Sequence, residues 1–124
     1  MNKLLLTLAS GLLLVSSATA GEKKVMHCFA FTAVDSASKA DWDAFFKATD
    51  VLPTKIKGLT HVWYGKLARP INVDGQSRQW GVCMEMDSPE VRRAYGNDPA
   101  HKVWEEAYSK VRVEGTTTYD ILGQ

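Results

Sequence analysis

Long apolar runs, metal-ligand spacing, an excess of one charge and cysteine are all scarce in this 124-residue chain, and each scarcity removes a class of protein. The one extended apolar run, Leu4 to Val15, is too short for a comfortable bilayer span, which takes about 20 residues. Lys3 precedes it and Ser16-Ser17-Ala18-Thr19-Ala20 follows it, so residues 1–20 are expected to be a secretory signal peptide cleaved after Ala20. That places the protein outside the cell or in a periplasm, with no stable membrane insertion once the segment is gone. The residue directly after the cleavage site is Gly21 and not cysteine, which argues against lipid attachment there.

Cys28 and Cys83 are too few for a disulfide scaffold, and neither belongs to a CxxC pair. His27, His61 and His101 are scattered, so no metal set is expected. Basic and acidic residues number 15 and 14, and loss of Lys3 with the signal peptide makes them equal. A nucleic-acid binder usually carries a basic face, so that class is not expected. Near-zero net charge suits a protein that self-associates. There is no internal repeat, linker or low-complexity segment.

Residues 21–124 suffice for one small domain with one core. Val25 to Thr32 reads as a strand, with Val25, His27, Phe29 and Phe31 on one face and Met26, Cys28 and Ala30 on the other. Ser38 and Asp41 make a capping-box-like helix start. Trp42, Phe45, Phe46 and Thr49 follow at helical spacing, and Pro53 is expected to end that helix near Val51-Leu52. Leu59 to Leu67 reads as a second strand, Ala68 to Ser77 as a long hairpin loop, and Gln79 to Met86 as a third strand. On the third strand, Trp80, Val82, Met84 and Met86 share a face. Ser88-Pro89 opens a short helix that Gly96-Asn97 interrupts. Asp98-Pro99 restarts it, with Val103, Trp104, Ala107, Tyr108 and Val111 in helical phase. A last strand spans about Thr116 to Leu122.

The order β-α-β-β-α-β predicts an α+β, ferredoxin-like fold with both helices on one face. Right-handed crossovers are expected to make the first and third strands parallel neighbours. Cys28 and Cys83 then share a face on adjacent strands, where a bridge is geometrically awkward, so free buried thiols are expected. The face carrying Met26, Cys28, Ala30 and Cys83 lacks a cover, and a homodimer through the sheets would supply one.

Tyr95 and His101 lie six residues apart around the helix start at Asp98 and Pro99. Asp favours the N-cap and Pro the first helical position. His101 then sits where the helix dipole disfavours an imidazolium. As an acid–base pair, His101 could take a proton alpha to a carbonyl while Tyr95 donates to the enolate oxygen. Alternatively, both are packing residues. His27, Phe29, Phe31, Phe45, Phe46, Trp80 and Val82 are candidates for an apolar pocket between helices and sheet, or for ordinary core.

Three stretches resemble the stress-responsive A/B barrel (Dabb) family of dimeric α+β barrels. Met26 to Phe31 is similar to its opening strand, and Leu52-Pro53-Thr54-Lys55-Ile56-Lys57-Gly58-Leu59 to its LPxxIxGI turn. Asp98-Pro99-Ala100-His101 is similar to its HPAH box, with Asp98 for the first His. The pocket residues are similar to those of one branch, the plant polyketide cyclase that makes olivetolic acid. That resemblance implies that Tyr95 and His101 are catalytic, with His27 lining the site and Trp80 where the cyclase has a further His. The function expected is a secreted domain binding a small apolar or aromatic molecule, of unassigned chemistry and needing no cofactor. The alternatives are a cofactor-independent cyclase or lyase using the Tyr–His pair, and a barrel like the antibiotic-biosynthesis monooxygenases.

Overall fold

Strict alternation along one strand sets the middle of the molecule. In a computed structural model, which describes residues 23–124, strand β1 (Val25–Ala33) is buried along most of its length. The expected signal peptide, residues 1–20, lies outside the described residues. Strands β2 (Leu59–Val73), β3 (Gln76–Met86) and β4 (Arg112–Leu122) complete one sheet of order β2-β3-β1-β4. Helices α1 (Lys39–Asp50), α2 (Leu52–Lys55), α3 (Pro89–Tyr95) and α4 (Pro99–Ser109) belong to the two crossovers. The rings of His27, Phe29 and Phe31 meet the aromatic residues of these helices, so the helical layer covers one sheet face. This is the ferredoxin-like α+β fold expected. Among the described residues no helix is long and apolar enough to cross a membrane.

The strand directions differ from expectation. β1 and β3 are neighbours but antiparallel, as are β1 with β4 and β2 with β3. In a split βαβ unit the crossover joins β1 to β2, and the returning β3 fills the gap between them. A strand inserted by a hairpin must run against both neighbours.

That direction also changes the cysteines. Cys28 stands directly opposite Cys83, their Cα atoms 4.1 Å apart, and the two form a disulfide rather than free thiols. The short separation is that of a directly opposed antiparallel pair without mutual hydrogen bonds, whose side chains lie closest together.

The expected long loop is mostly strand. β2 runs to Val73 and β3 starts at Gln76, leaving only Asp74-Gly75 as a turn, both with positive φ (51° and 75°). Asp-Gly is the favoured pair for such a two-residue hairpin, because both central residues need φ > 0. A register shift between Lys66 and Ile71 accommodates Pro70, which cannot donate to a ladder. β4 likewise starts earlier than expected, at Arg112; a register shift opposite Phe31–Ala33 hides its period.

Each main helix is capped as its residues demand. Ser38 Oγ accepts from the Asp41 N–H (3.1 Å) while Asp41 Oδ2 accepts from the Ser38 N–H (3.0 Å). Ser88 accepts from the Val91 N–H, and Asp98 from the Ala100 N–H at 2.8 Å. Thr49 ties α1 to α4: its buried hydroxyl donates to the Phe45 carbonyl and accepts from the Trp104 indole N–H at 2.9 Å. Gly58 (φ 88°) turns the chain into β2, where a Cβ would stand 2.6 Å from a Val91 methyl.

The bridge closes a loop of 55 residues. Reduction should therefore lower the unfolding free energy by about 2–4 kcal/mol, chiefly by freeing the unfolded chain. Urea titrations of oxidised and reduced protein measure this, and alkylation of the denatured, unreduced chain should label neither cysteine.

Candidate functional site

The residues around Tyr95 and His101 line an open cavity of about 190 Å³ between α4 and the β1–β4 edge of the sheet. Helix α4 contributes His101, Trp104, Glu105 and Tyr108, successive members of one helical face. β1 contributes His27 and Phe29; β4 contributes Arg112, Thr116 and Thr118; Tyr95 enters from the end of α3. The register sets Asp120, Thr118 and Thr116 opposite His27, Phe29 and Phe31.

Tyr95 and His101 do come together, their ring centroids 4.4 Å apart and nearly edge to face, but the two are not hydrogen-bonded to each other. The hydroxyl of Tyr95 and Nδ1 of His101 are buried without a partner. The same holds for the Tyr108 hydroxyl and Arg112 Nε. These four are the buried, unpartnered side-chain atoms among the described residues, and all belong to residues lining this one cavity. Buried polar groups are ordinarily paired, so four exceptions on the residues around one cavity make it the candidate site.

His27 completes the site from below. Its ring lies 5.6 Å from that of Tyr95 and 5.7 Å from that of Phe29. His27 Nδ1 is 2.6 Å from Asp120 Oδ1, and both Asp120 oxygens accept from Arg92 Nε at 3.1 Å. Burial raises the Asp120 pKa, but the hydrogen bonds from His27 and Arg92 outweigh it and hold the carboxyl below its usual value. An ionised carboxylate only accepts, so the His27 ring carries its proton on Nδ1. Burial meanwhile pulls the His27 pKa below its ordinary value, against the pull of Asp120, so the ring is neutral and its lone pair sits on Nε2. His101 is also held low by burial, although Glu105, whose Oε2 lies 4.0 Å from Nδ1, works the other way. Burial pushes both phenols, Tyr95 and Tyr108, well above their usual range, so they stay protonated donors. The site thus offers neutral imidazoles and phenolic O–H groups together.

Of the other candidate residues, Phe29 lines the cavity while Phe31, Phe45 and Val82 are buried core. Phe46 and Trp80 pack with Trp42 and Tyr64 under α1, at the far half of the sheet. Period-2 alternation put these residues on the correct face, but three aromatic rings of α1 fill that half. Asp120, Arg92, Glu105, Tyr108, Arg112, Thr116 and Thr118 were not singled out as site residues. The spacing His101, Glu105, Tyr108, Arg112 follows one helical face and could have revealed four of the lining residues together. His61 is exposed on β2. Among the described residues no cluster of His, Cys, Asp or Glu could hold a metal ion.

A larger hollow, about 530 Å³, opens between the start of β2 and α3, lined by Lys57, Asp87, Glu90 and Tyr95 among others. Of the four unpartnered atoms it adjoins only that of Tyr95, so the smaller cavity is the better site.

The model of the stress-responsive A/B barrel domain matches residues 25–121, so the chain belongs to that family. No curated protein matches it. Among solved structures, a Dabb family protein of ferredoxin-like fold from Mesorhizobium loti is similar at 17% identity and TM-score 0.63, covering 83% of this chain and 99% of that one. A dimeric ferredoxin-like protein of unknown function from Thermobifida fusca is similar at 17% identity and TM-score 0.63, covering 82% and 92%. A hydroxynitrile lyase from Passiflora edulis is similar at 12% identity and TM-score 0.65, covering 82% and 94%.

Both cavity histidines have native pKa values below the 6.5 of a free imidazole. As pH falls the unfolded chain therefore binds protons first, and stability declines below about pH 6.5. Asp120, held below 3.8, adds stability that persists until far more acidic pH. Urea unfolding between pH 8 and 5 should show this decline, with a shallower slope in His27→Gln; a flat wild-type profile would contradict it.

Proposed function

We propose that this is an exported, homodimeric Dabb-domain protein that binds a small carbonyl compound and moves a proton on it without a cofactor, as a lyase or cyclase does. The observation that carries this reading is the convergence of Tyr95, His101, Tyr108 and Arg112, all with buried unpartnered atoms, on one cavity beside the His27–Asp120 pair. A hydroxynitrile lyase on the same fold is consistent with it, although a shared fold does not by itself carry function.

The base is His27, because it alone of the two cavity histidines is oriented by an ionised carboxylate. Its Nε2 lone pair takes the proton alpha to the carbonyl, the C–H electron pair moves into the enolate, and the oxygen gains a hydrogen bond from the Tyr95 hydroxyl. Asp120 stabilises the imidazolium that forms. His101 supplies a second polar contact at the same end. Reprotonation at carbon or at oxygen, or loss of a leaving group, then completes an exchange, an isomerisation or an elimination. Loss of one acid–base partner of this kind typically costs 10²–10⁴-fold.

Export is supported by the residues of positions 1–20, and dimerisation by the open sheet face. Trp63 is 74% exposed there, with Ile121 and Tyr119 about half exposed, beside the Cys28–Cys83 bridge. Adjacent exposed apolar groups of this size mark an interaction surface, and the Thermobifida neighbour is itself dimeric.

Hydrogen–deuterium exchange by NMR, run on a panel of aryl and alkyl ketones that carry alpha hydrogens, tests the chemistry. Exchange should be catalysed by the wild type and fall about 100-fold or more in both His27→Gln and Tyr95→Phe. Catalysis unaffected by either change would sink the assignment. Native mass spectrometry of the exported protein tests the rest: the expected species is two copies of a chain beginning at Gly21, and Trp63→Asp should shift it toward one copy.

A further inference from the structure

The cavity is not uniform along its length, and the difference bears on the ligand. His27, Tyr95, His101 and Glu105 gather at the end near the start of α4. Tyr108 lies two helical turns further on, about 10 Å along the axis, and with it come Arg112 and Thr116. The register agrees, since His27 pairs with Asp120 whereas Thr116 stands opposite Phe31.

That second end is positive and unsatisfied. The Arg112 guanidinium lies over the Tyr108 ring, 4.7 Å from its centroid, which holds it in place. Its Nε is buried without a partner, and Arg112 enters none of the ion pairs among the described residues. The Tyr108 hydroxyl, on a residue 5% exposed, is also unpartnered. Behind them Arg78 is buried at 6% exposure, its guanidinium held by neutral acceptors: the hydroxyl of Thr117, the side-chain oxygen of Gln76 and the Gly115 carbonyl. Both arginines act electrostatically on Tyr108. Arg112 and the Tyr108 phenol line this end of the cavity with Thr116 and Thr118, whose hydroxyls bond each other at 3.2 Å, and among the described residues no carboxylate pairs with either arginine. The single cavity carboxylate, Glu105, sits at the opposite end with its side chain 56% exposed.

We propose that the ligand is a small carboxylate, its acid group held by Arg112 and Tyr108 and its reacting carbon directed at Tyr95 and His27. This rests on the proposed function and names its substrate class. Guanidinium and carboxylate match as planar, bidentate partners, and the middle of the cavity, between Phe29 and Trp104, takes an apolar or aromatic body. A volume of about 190 Å³, below the roughly 300–1,000 Å³ of pockets for drug-sized ligands, suits a small acid.

Calorimetric titration with phenylacetate and mandelate, each against its primary amide, reads the anion preference directly. The wild type should bind the acids at least ten-fold more tightly than the amides. Arg112→Gln should abolish that preference, Arg112→Lys should restore part of it, and Tyr108→Phe should weaken acid binding several-fold while keeping the ring under the guanidinium. Equal binding of acid and amide, binding of neither, or acid binding unchanged in Arg112→Gln would overturn the proposal. If Arg112→Gln does not fold, Tyr108→Phe and the acid–amide comparison on the wild type still decide it. The two readings fail separately. Proton exchange on neutral ketones without acid preference removes the carboxylate and leaves the acid–base chemistry, whereas tight acid binding without exchange does the reverse.

Discussion

The packing of Trp104 holds the site together. Its ring stacks on Tyr108 at 4.7 Å, meets Phe29 edge-on at 5.6 Å, and its indole N–H is given to Thr49 on α1. One side chain thus joins α4, α1 and β1. Truncating a buried ring of this kind typically costs about 3–5 kcal/mol. The consequence for the site is geometric. With Trp104 locked inward, the neighbouring positions of α4 have no freedom of azimuth, and His101, Glu105 and Tyr108 must line the gap between α4 and the β1–β4 edge.

What could be read from the residues alone follows the range of the interaction. The alternation of β1, the Ser38 box, the Asp98-Pro99 start and the aromatic stripe of α1 are local, and the structure contains each of them. The pairing of Tyr95 with His101 was legible for the same reason, since a helix start fixes both within six residues. Asp120 was not, because it reaches His27 across 93 positions through strand register alone. The antiparallel β1–β3 pair and the disulfide that follows from it are likewise matters of register. The failure at Arg112 has a different origin: it continues the α4 stripe in spacing but belongs to β4, and a bulge masks the change of period.

Electrostatics separate the two histidines, of which His27 is buried and His101 half-buried. His27 is tied to a carboxylate that is itself clamped by Arg92, a chain of charge-assisted hydrogen bonds that fixes tautomer and ring plane at once. His101 has no carboxylate within hydrogen-bond reach: Glu105 stands at 4.0 Å, and the Gly96 backbone supplies its other polar contact. A ring with a fixed tautomer can present one lone pair in one direction, whereas a ring with an unpartnered Nδ1 accepts or donates as the ligand requires. The division of labour proposed for the site follows from that asymmetry.

An unsatisfied buried donor or acceptor costs about 1–3 kcal/mol, and a domain of this size is stable by only about 5–15 kcal/mol in all. Polar groups buried at Tyr95, His101, Tyr108 and Arg112 therefore work against stability. Phe, Leu or Met at those positions would fill the same space without the penalty. An arrangement selected for stability alone would have closed the gap with apolar side chains, as α1 closes the other half of the sheet with Trp42, Phe45 and Phe46. The contrast between the two halves of one sheet face, one packed with apolar rings and the other lined by polar groups, is what makes the α4 side a site and the α1 side a core.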